Sequence, residues 1–341
     1  MNDIQHNGQH IVALCHAGLA NRIKCLVSVM RIAEKTSRKL ILYWPKDAAL
    51  NCQFSDLFCN KIPEINEEEL KVIRNQNSNE NYSMIATWRL LPLPEDKISK
   101  NFAREIPSDM GNNIDLEYNR IPLSARKSLL VYINRLTPIK YIVKEVENFS
   151  RKFDHNTVSV NIRTWTWRTA DNPARTMLFD VENVYKVLNK IDGHNFFVTC
   201  DNLEILQKLI NKYGKRILYY PNRTRTISQN RVAEIQDALI ELLLLAKNKS
   251  LKVSYLSTFS EMAWWFGGCE SEVECIPPKK YLFKKFHTEK FNCYSLFWKW
   301  HIQPDHWPKS RRLLFIARRC IEESAEDLKD YLVRFWNSFF Q

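Results

Sequence analysis

Between Val158 and Gly268 short apolar runs alternate with stretches of helical periodicity, and this rhythm constrains the fold more than any other feature of the chain. Strands are expected over Val158–Ile162, Asn195–Thr199, Arg216–Tyr220 and Leu251–Ser254. Helices are expected over Val181–Lys190, Leu203–Lys212, Val232–Lys247 and from Phe259 onward. Strand and helix taken in turn imply parallel strands with helices packed on their faces, a doubly wound α/β sheet. The ligand site of such a sheet lies beyond the carboxyl ends of its strands.

A second unit of the same kind opens the chain. HIVALCHAGLANRIKCLVSVMRIAEKTSRKLILYWP reads as a buried strand over His10–Cys15, a short loop closed by Gly18, and a helix over Asn21–Lys35. In the helix Ile23, Leu26, Val27, Met30 and Ala33 recur at helical spacing, and a second strand follows over Lys39–Tyr43, ended by Pro45. Residues from about 60 to 120, rich in Pro, Asn and Glu, are expected to be loops and insertions around one strand near Met84–Leu90. A helix is expected over Ile139–Lys152, just after Pro138. The expected organisation is therefore an N-terminal α/β domain over 1–150, a Rossmann-like domain over 151–276 and a basic aromatic tail over 277–341.

Composition narrows the class. The 341 residues are 45% hydrophobic and 26% charged, enough apolar material for two cores and too much for a disordered chain. The nine cysteines include no CxxC pair and no metal-ligand spacing, so reduced thiols are expected. No apolar run approaches the ~20 residues of a membrane-spanning helix, and the polar start MNDIQHNGQH is unlike a signal peptide. A cytoplasmic protein is expected on these grounds.

Chemistry should come from the residues just past each strand. In the second unit these are Arg163 and Trp165, Asp201 and Asn202, Pro221 to Arg225, and Ser257, Thr258 and Ser260 at the start of a helix. A helix N-terminus offers backbone N–H donors to an anion, and a guanidinium can pair bidentately with phosphate oxygens. A nucleoside diphosphate suits this set, although the hydroxyls could equally cap the helix and Arg163 could pair with a carboxylate. There is no Asp-x-Asp, no Walker loop and no GxGxxG, so neither P-loop phosphoryl transfer nor a standard dinucleotide site is expected, and no metal. A diphosphate leaving without a metal needs fixed cations, which Arg163 can supply at any working pH.

These segments resemble a known group of enzymes. HAGLANRIKCLVSV resembles the Gly-x-Gly-Asn-Arg/Gln loop and helix that open the fucosyltransferase superfamily, which includes the nodulation α1,6-, the α1,2- and the protein O-fucosyltransferases. VSVNIRT sits where that group has a His-x-Arg strand end, FFVTCDNLE resembles its strand-Asp segment, and AEIQDALIELLLLAKNKSLKVSYLSTFSEMAWWFGG is similar to its last motif. The matches run in order over most of residues 10 to 268. The resemblance implies a GT-B-like fold of two facing Rossmann-like domains, and an inverting, metal-independent transfer of fucose from GDP-fucose. It implies that Arg163 binds the β-phosphate and that Gly18, Asn21 and Arg22 form the first-domain wall of the cleft. It further implies that Ser257, Thr258 and Ser260 hold the diphosphate, that Asp237 or Glu241 faces guanine, and that Asp201 shapes the same donor pocket. Two positions depart from the pattern. Asn161 replaces His and is expected to hydrogen-bond a base or ribose, while Ala20 replaces the second Gly, where a left-handed conformation would be strained. Asp171 is a candidate base by position alone, and Trp165 and Trp167 could stack on a sugar or plug the interface between domains.

The net charge of +12 is concentrated late: Lys279 to Arg319 hold 11 Lys or Arg against Glu289 and Asp305, or 11 − 2 = +9. There the cations interleave with Phe, Tyr and Trp, the composition of an interfacial membrane contact. Nothing in the segment resembles an RNA- or DNA-binding motif. A peripheral enzyme at the inner face of the plasma membrane is expected, acting on a saccharide or lipid-linked saccharide of lipopolysaccharide, O-antigen or capsule. The alternatives are the same fold with another nucleotide-sugar donor, or a catalytically inactive carbohydrate- or membrane-binding protein.

Overall fold

Strand β5 (Thr157–Ile162) is buried at every residue, yet half of its side chains are polar. Alternation along the pleat explains it. Val158, Val160 and Ile162 point to one face and join a core with Val184 and Leu188, Phe196 and Val198, Leu206 and Leu209. Ser159 and Asn161 point to the other face, where each has hydrogen-bond partners; the Ser159 hydroxyl donates to the Leu245 carbonyl at 2.9 Å and accepts from the Asn248 amide at 2.9 Å. A parallel strand covered on both sides must satisfy every polar group internally, and this one does.

The computed structural model describes residues 9–75, 82–87, 90–91, 123–165, 178–221, 231–255 and 257–279. Around β5 stand β6 (Asn195–Cys200), β7 (Ile217–Leu218), β8 (Ser250–Ser254) and β9 (Glu272–Ile276), all parallel, in the order β7-β6-β5-β8-β9. The earlier sheet consists of β1 (His10–Leu14), β2 (Lys39–Tyr43), β3 (Glu64–Ile65) and β4 (Tyr82–Ala86), also parallel, in the order β3-β2-β1-β4. Each sheet is therefore wound the same way: the first strand is central, the second and third lie on one side, and the fourth lies on the other. The expected α/β class holds, with two Rossmann-like sheets. Both belong to one unit ending at Lys285, and residues 286–341 make up a second unit that lies outside the described residues.

The helices are α1 (Leu19–Lys35), α2 (Glu67–Asn75), α3 (Leu123–Ile133), α4 (Lys140–Ser150), α5 (Val181–Leu188), α6 (Leu203–Tyr213), α7 (Arg231–Leu245) and α8 (Thr258–Phe266). Helix α2 occupies a stretch expected to be loop, and β3 and β9 were not anticipated at all. Asn66 starts α2, accepting from the amides of Glu68 and Glu69 at 2.9 Å each, while the Glu69 carboxylate accepts from the Asn66 amide at 2.8 Å. The expected strand Arg216–Tyr220 shrinks to Ile217–Leu218, because a 3₁₀ turn over Gly214–Arg216 takes its start. The Arg216 guanidinium is tied there to the carbonyls of His194 and Ile191 at 2.9 and 2.8 Å. Strand β4 begins earlier than expected because it pairs with β1 from His10 opposite Tyr82. Helix α4 packs against α7, and its Phe149 meets Phe197 of β6, so it sits with the later sheet although it precedes residue 150.

Helices α1 and α8, one from each sheet, meet at a fully buried ion pair between Lys24 and Glu261. Both side chains have no exposed surface. Removing one partner strands a charge in the interior, which costs about 3–5 kcal/mol, whereas replacing both with apolar groups is often near neutral. Lys24→Met and Glu261→Leu are each expected to lower unfolding free energy by about 3–5 kcal/mol in denaturant titration. The double variant should recover most of the loss; equal, additive losses would contradict a paired interaction.

Candidate active site

Three strand ends of the later sheet meet in one hydrogen-bonded cluster. The Asn161 amide, on the last turn of the β5 pleat, donates from Nδ2 to the Thr199 hydroxyl at 2.8 Å and accepts at Oδ1 from the Ser257 hydroxyl at 2.8 Å. Ser257 is the N-cap of α8, its Oγ accepting from the Ser260 amide at 3.4 Å. The Ser260 hydroxyl donates back to the Ser257 carbonyl at 3.0 Å. Asn161, Thr199, Ser257 and Ser260 are all buried. Asn161 is thus a strut between β6, β5 and α8, with both ends of its amide engaged by the protein. Asn161, expected to meet a base or ribose, is here bonded to Thr199 and Ser257, and Ser257 and Ser260 are engaged as cap residues. Thr258 is half-buried at the first position of α8.

One residue past β5 the chain turns outward. The Arg163 amide donates to the Ser254 hydroxyl at 2.8 Å, tying it to the end of β8. Its guanidinium lies 3.1 Å from the Asp201 carboxylate and 5.3 Å from the Trp165 ring centroid, with 29% of the side chain exposed. Asp201 also accepts from the Thr164 amide at 2.7 Å and the Thr164 hydroxyl at 2.8 Å. It anchors the strand-end turn. Asn202 beside it caps α6, accepting from the amides of Glu204 and Ile205. Trp165 has φ +63°, a left-handed conformation that is strained for a bulky residue and that persists only where the surroundings impose it.

The earlier sheet contributes the loop between β1 and α1. Gly18 is the N-cap of α1 with φ −73°, and a Cβ built there would meet nothing within 4 Å, so open space lies in front of this turn. The left-handed residue of the loop is Ala17, at φ +67°. Ala20 is helical, within α1, so the strain expected there does not arise. Arg22 does not line open space. It is fully buried, donating to the carbonyls of Ala17 at 2.7 Å and Pro45 at 2.5 Å, with Nη2 2.8 Å from Asp47 and its guanidinium over Trp44. The Asp47 contact has the distance of an ion pair without the alignment of a hydrogen bond. Burial lowers the Arg22 pKa, an effect that Asp47 partly offsets. Arg22 clamps the β1 and β2 ends together. Asn21 is half-buried, and its side-chain oxygen has no hydrogen-bond partner among the described residues.

Asp237 and Glu241 lie one turn apart on α7, both buried and neither free of a partner. Asp171, Trp167 and the segment after Pro221 lie outside the described residues. Among the described residues no group of three or more His, Cys, Asp and Glu side chains is arranged to hold a metal ion, and no helix is long and apolar enough to cross a membrane. A separate cavity of about 590 Å³ is lined by Phe58, Lys61, Pro63 and Ile139 among others, and none of the candidate site residues lines it. Sequence reading missed His16, just past β1, which is half-buried with its ring edge-on to Tyr43 at 5.5 Å.

Asn161→Ala leaves the buried Thr199 and Ser257 hydroxyls short of a partner, at a cost of about 1–3 kcal/mol for each unsatisfied group. A drop in unfolding free energy of that order is expected by denaturant titration, with the first turn of α8 losing amide protection in hydrogen exchange. Unchanged protection at Ser260 and Glu261 would contradict the strut.

No family model matches the chain, and no curated protein matches it in sequence. Among solved structures it is similar to the fucosyltransferase NodZ from Bradyrhizobium, at 11% identity and a TM-score of 0.46, over 75% of this chain and 92% of that one. It is also similar to a mutant of Arabidopsis thaliana FUT1 in complex with GDP, at 16% identity and a TM-score of 0.48, over 80% of this chain and 71% of that one. A third similar structure is POFUT1 in complex with GDP, at 12% identity and a TM-score of 0.43, over 80% of this chain and 99% of that one.

Proposed function

We propose that this chain is an inverting glycosyltransferase that moves fucose from GDP-fucose to a saccharide acceptor without a metal ion. The observation that carries the reading is Arg163. It is a permanent cation held at its backbone by Ser254 and at its head by Asp201, part-exposed at the carboxyl end of the central strand. A departing diphosphate develops its charge on the bridging oxygen, and a pre-positioned guanidinium lowers that cost without reorganising during the reaction. Helix α8 opens beside it, and the first N–H groups of a helix favour an anion. The order of the four sequence segments that resemble fucosyltransferase motifs supports fucose as the sugar and GDP as the carrier. Asp237 and Glu241, two acids on one face of α7, would then serve guanine, because a carboxylate accepts from N1–H and N2–H₂ together.

The acceptor belongs to a surface polysaccharide in this reading, carried on a lipid. The +9 segment from Lys279 to Arg319 supports that choice, since cations interleaved with aromatics suit an anionic membrane face. The enzyme would then work in the cytoplasm, peripheral to the inner leaflet.

GDP at a hundred times its Kd should stabilise the chain by about 2.7 kcal/mol, visible as a rise in melting temperature that EDTA does not remove. UDP, dTDP and CMP should give less. Arg163→Ala should weaken GDP binding roughly ten- to a hundredfold, the size of one lost charge-assisted hydrogen bond. A preference for UDP, or an Arg163→Ala variant that transfers sugar at the original rate, would overturn the assignment.

A further inference from the structure

His16 stands where the earlier sheet opens, two residues past the end of β1 and three before the start of α1. Its ring is half-buried and packs edge-on against Tyr43, the last residue of β2, with centroids 5.5 Å apart and planes at 61°. The Tyr43 hydroxyl donates in turn to the Glu67 carboxylate, which fixes the aromatic wall that His16 leans on. Neither ring nitrogen of His16 has a hydrogen-bond partner among the described residues. A half-buried imidazole with an unused nitrogen at the carboxyl edge of a parallel sheet is placed to meet a ligand.

The later sheet is close by construction. Lys24 lies five residues beyond Leu19 and Glu261 four beyond Ser257, so both helix starts lie within about 8 Å of the shared buried ion pair along their axes. The loop carrying His16 and the strand ends carrying Arg163 therefore flank the same helix pair. The open space in front of Gly18 adjoins His16 on the chain.

We propose that His16 is the group that takes the proton from the acceptor hydroxyl. The inference rests on the glycosyl-transfer reading above. In the step, the acceptor oxygen bonds to the anomeric carbon while the bond from that carbon to the β-phosphate oxygen breaks. The bonding pair leaves with GDP beside Arg163, and the hydroxyl proton passes to the unprotonated ring nitrogen of His16. Five groups face the imidazole: Tyr43 from β2, Arg22 from α1, Asp47 from the loop after β2, and Glu67 and Arg74 from α2. Burial lowers the His16 pKa most, then Arg22, with Arg74 in the same direction; Asp47 and Glu67 oppose them. The ring is therefore neutral at pH 7, the form a base requires, and the acid limb of activity should fall below the ordinary histidine range near 6.5.

The test is GDP release from GDP-fucose by the full chain, with water as the acceptor, across pH 4.5 to 8, beside calorimetric titration with GDP. His16→Gln should slow release roughly 10²- to 10⁴-fold while changing GDP affinity less than about twofold, and the histidine acid limb should vanish. Imidazole added to His16→Ala should restore part of the rate, which a purely structural role would not allow. Release at the original rate in His16→Gln, an acid limb that stays in place, or loss of GDP binding in both variants would overturn the assignment. A wild-type chain that neither binds GDP nor releases it from GDP-fucose would overturn the glycosyl-transfer reading itself, and His16 with it.

Discussion

The two sheets are held in one arrangement by a salt bridge that no water reaches. Each ion alone would cost several kcal/mol to bury, so Lys24 and Glu261 tolerate the interior only together. Such a pair is a poor source of net stability but a strict one of geometry, since any sliding of α1 along α8 separates the charges. Apolar contacts between helices permit many near-equivalent registers; this contact permits few. The loops that begin α1 and α8 inherit that register, and with them His16 and Ser257.

Within the later sheet a second level of order is polar and local. Ser254, Asp201, Thr164, Asn161, Thr199 and Ser257 connect three strand ends and a helix cap through bonds of 2.7 to 2.8 Å. Hydrogen bonds in a low-dielectric setting strengthen one another when all members are satisfied. The result is an arginine whose backbone and head are both fixed before any ligand arrives, which is the condition under which a charge acts on a transition state without paying for reorganisation. Asn161 takes part in this scaffold.

Much of this was legible from sequence because parallel sheets write themselves as apolar runs separated by helical periodicity. The strand centres β1, β2, β5, β6 and β8 were all visible in that way, and the position of Arg163 followed from the end of β5. Strand β9 was not, since Glu272 and Glu274 alternate with Val273 and Cys275 at the sheet edge, and an edge strand carries half the apolar signal. Helix α2 did leave a mark, the Asn66-Glu67-Glu68-Glu69 start, which is a capping box in all but its first residue type. The bonds that Arg22 and Asn161 make inside the protein were not legible from sequence. Which internal groups a polar side chain on a strand end or first helical turn meets depends on atoms far away in the chain, such as the Pro45 carbonyl for one and the Ser257 hydroxyl for the other.

The two central strands leave their sheets alike. Ala17 comes three residues after the end of β1 and Trp165 three after the end of β5, and both sit at left-handed φ without being glycine. An unfolded chain seldom visits that conformation at alanine and still less at tryptophan, so neither turn is encoded locally. Each is imposed from outside, by Arg22 gripping the Ala17 carbonyl in one half and by Asp201 holding Thr164 in the other. Neither turn can therefore keep its curvature apart from the folded sheet behind it.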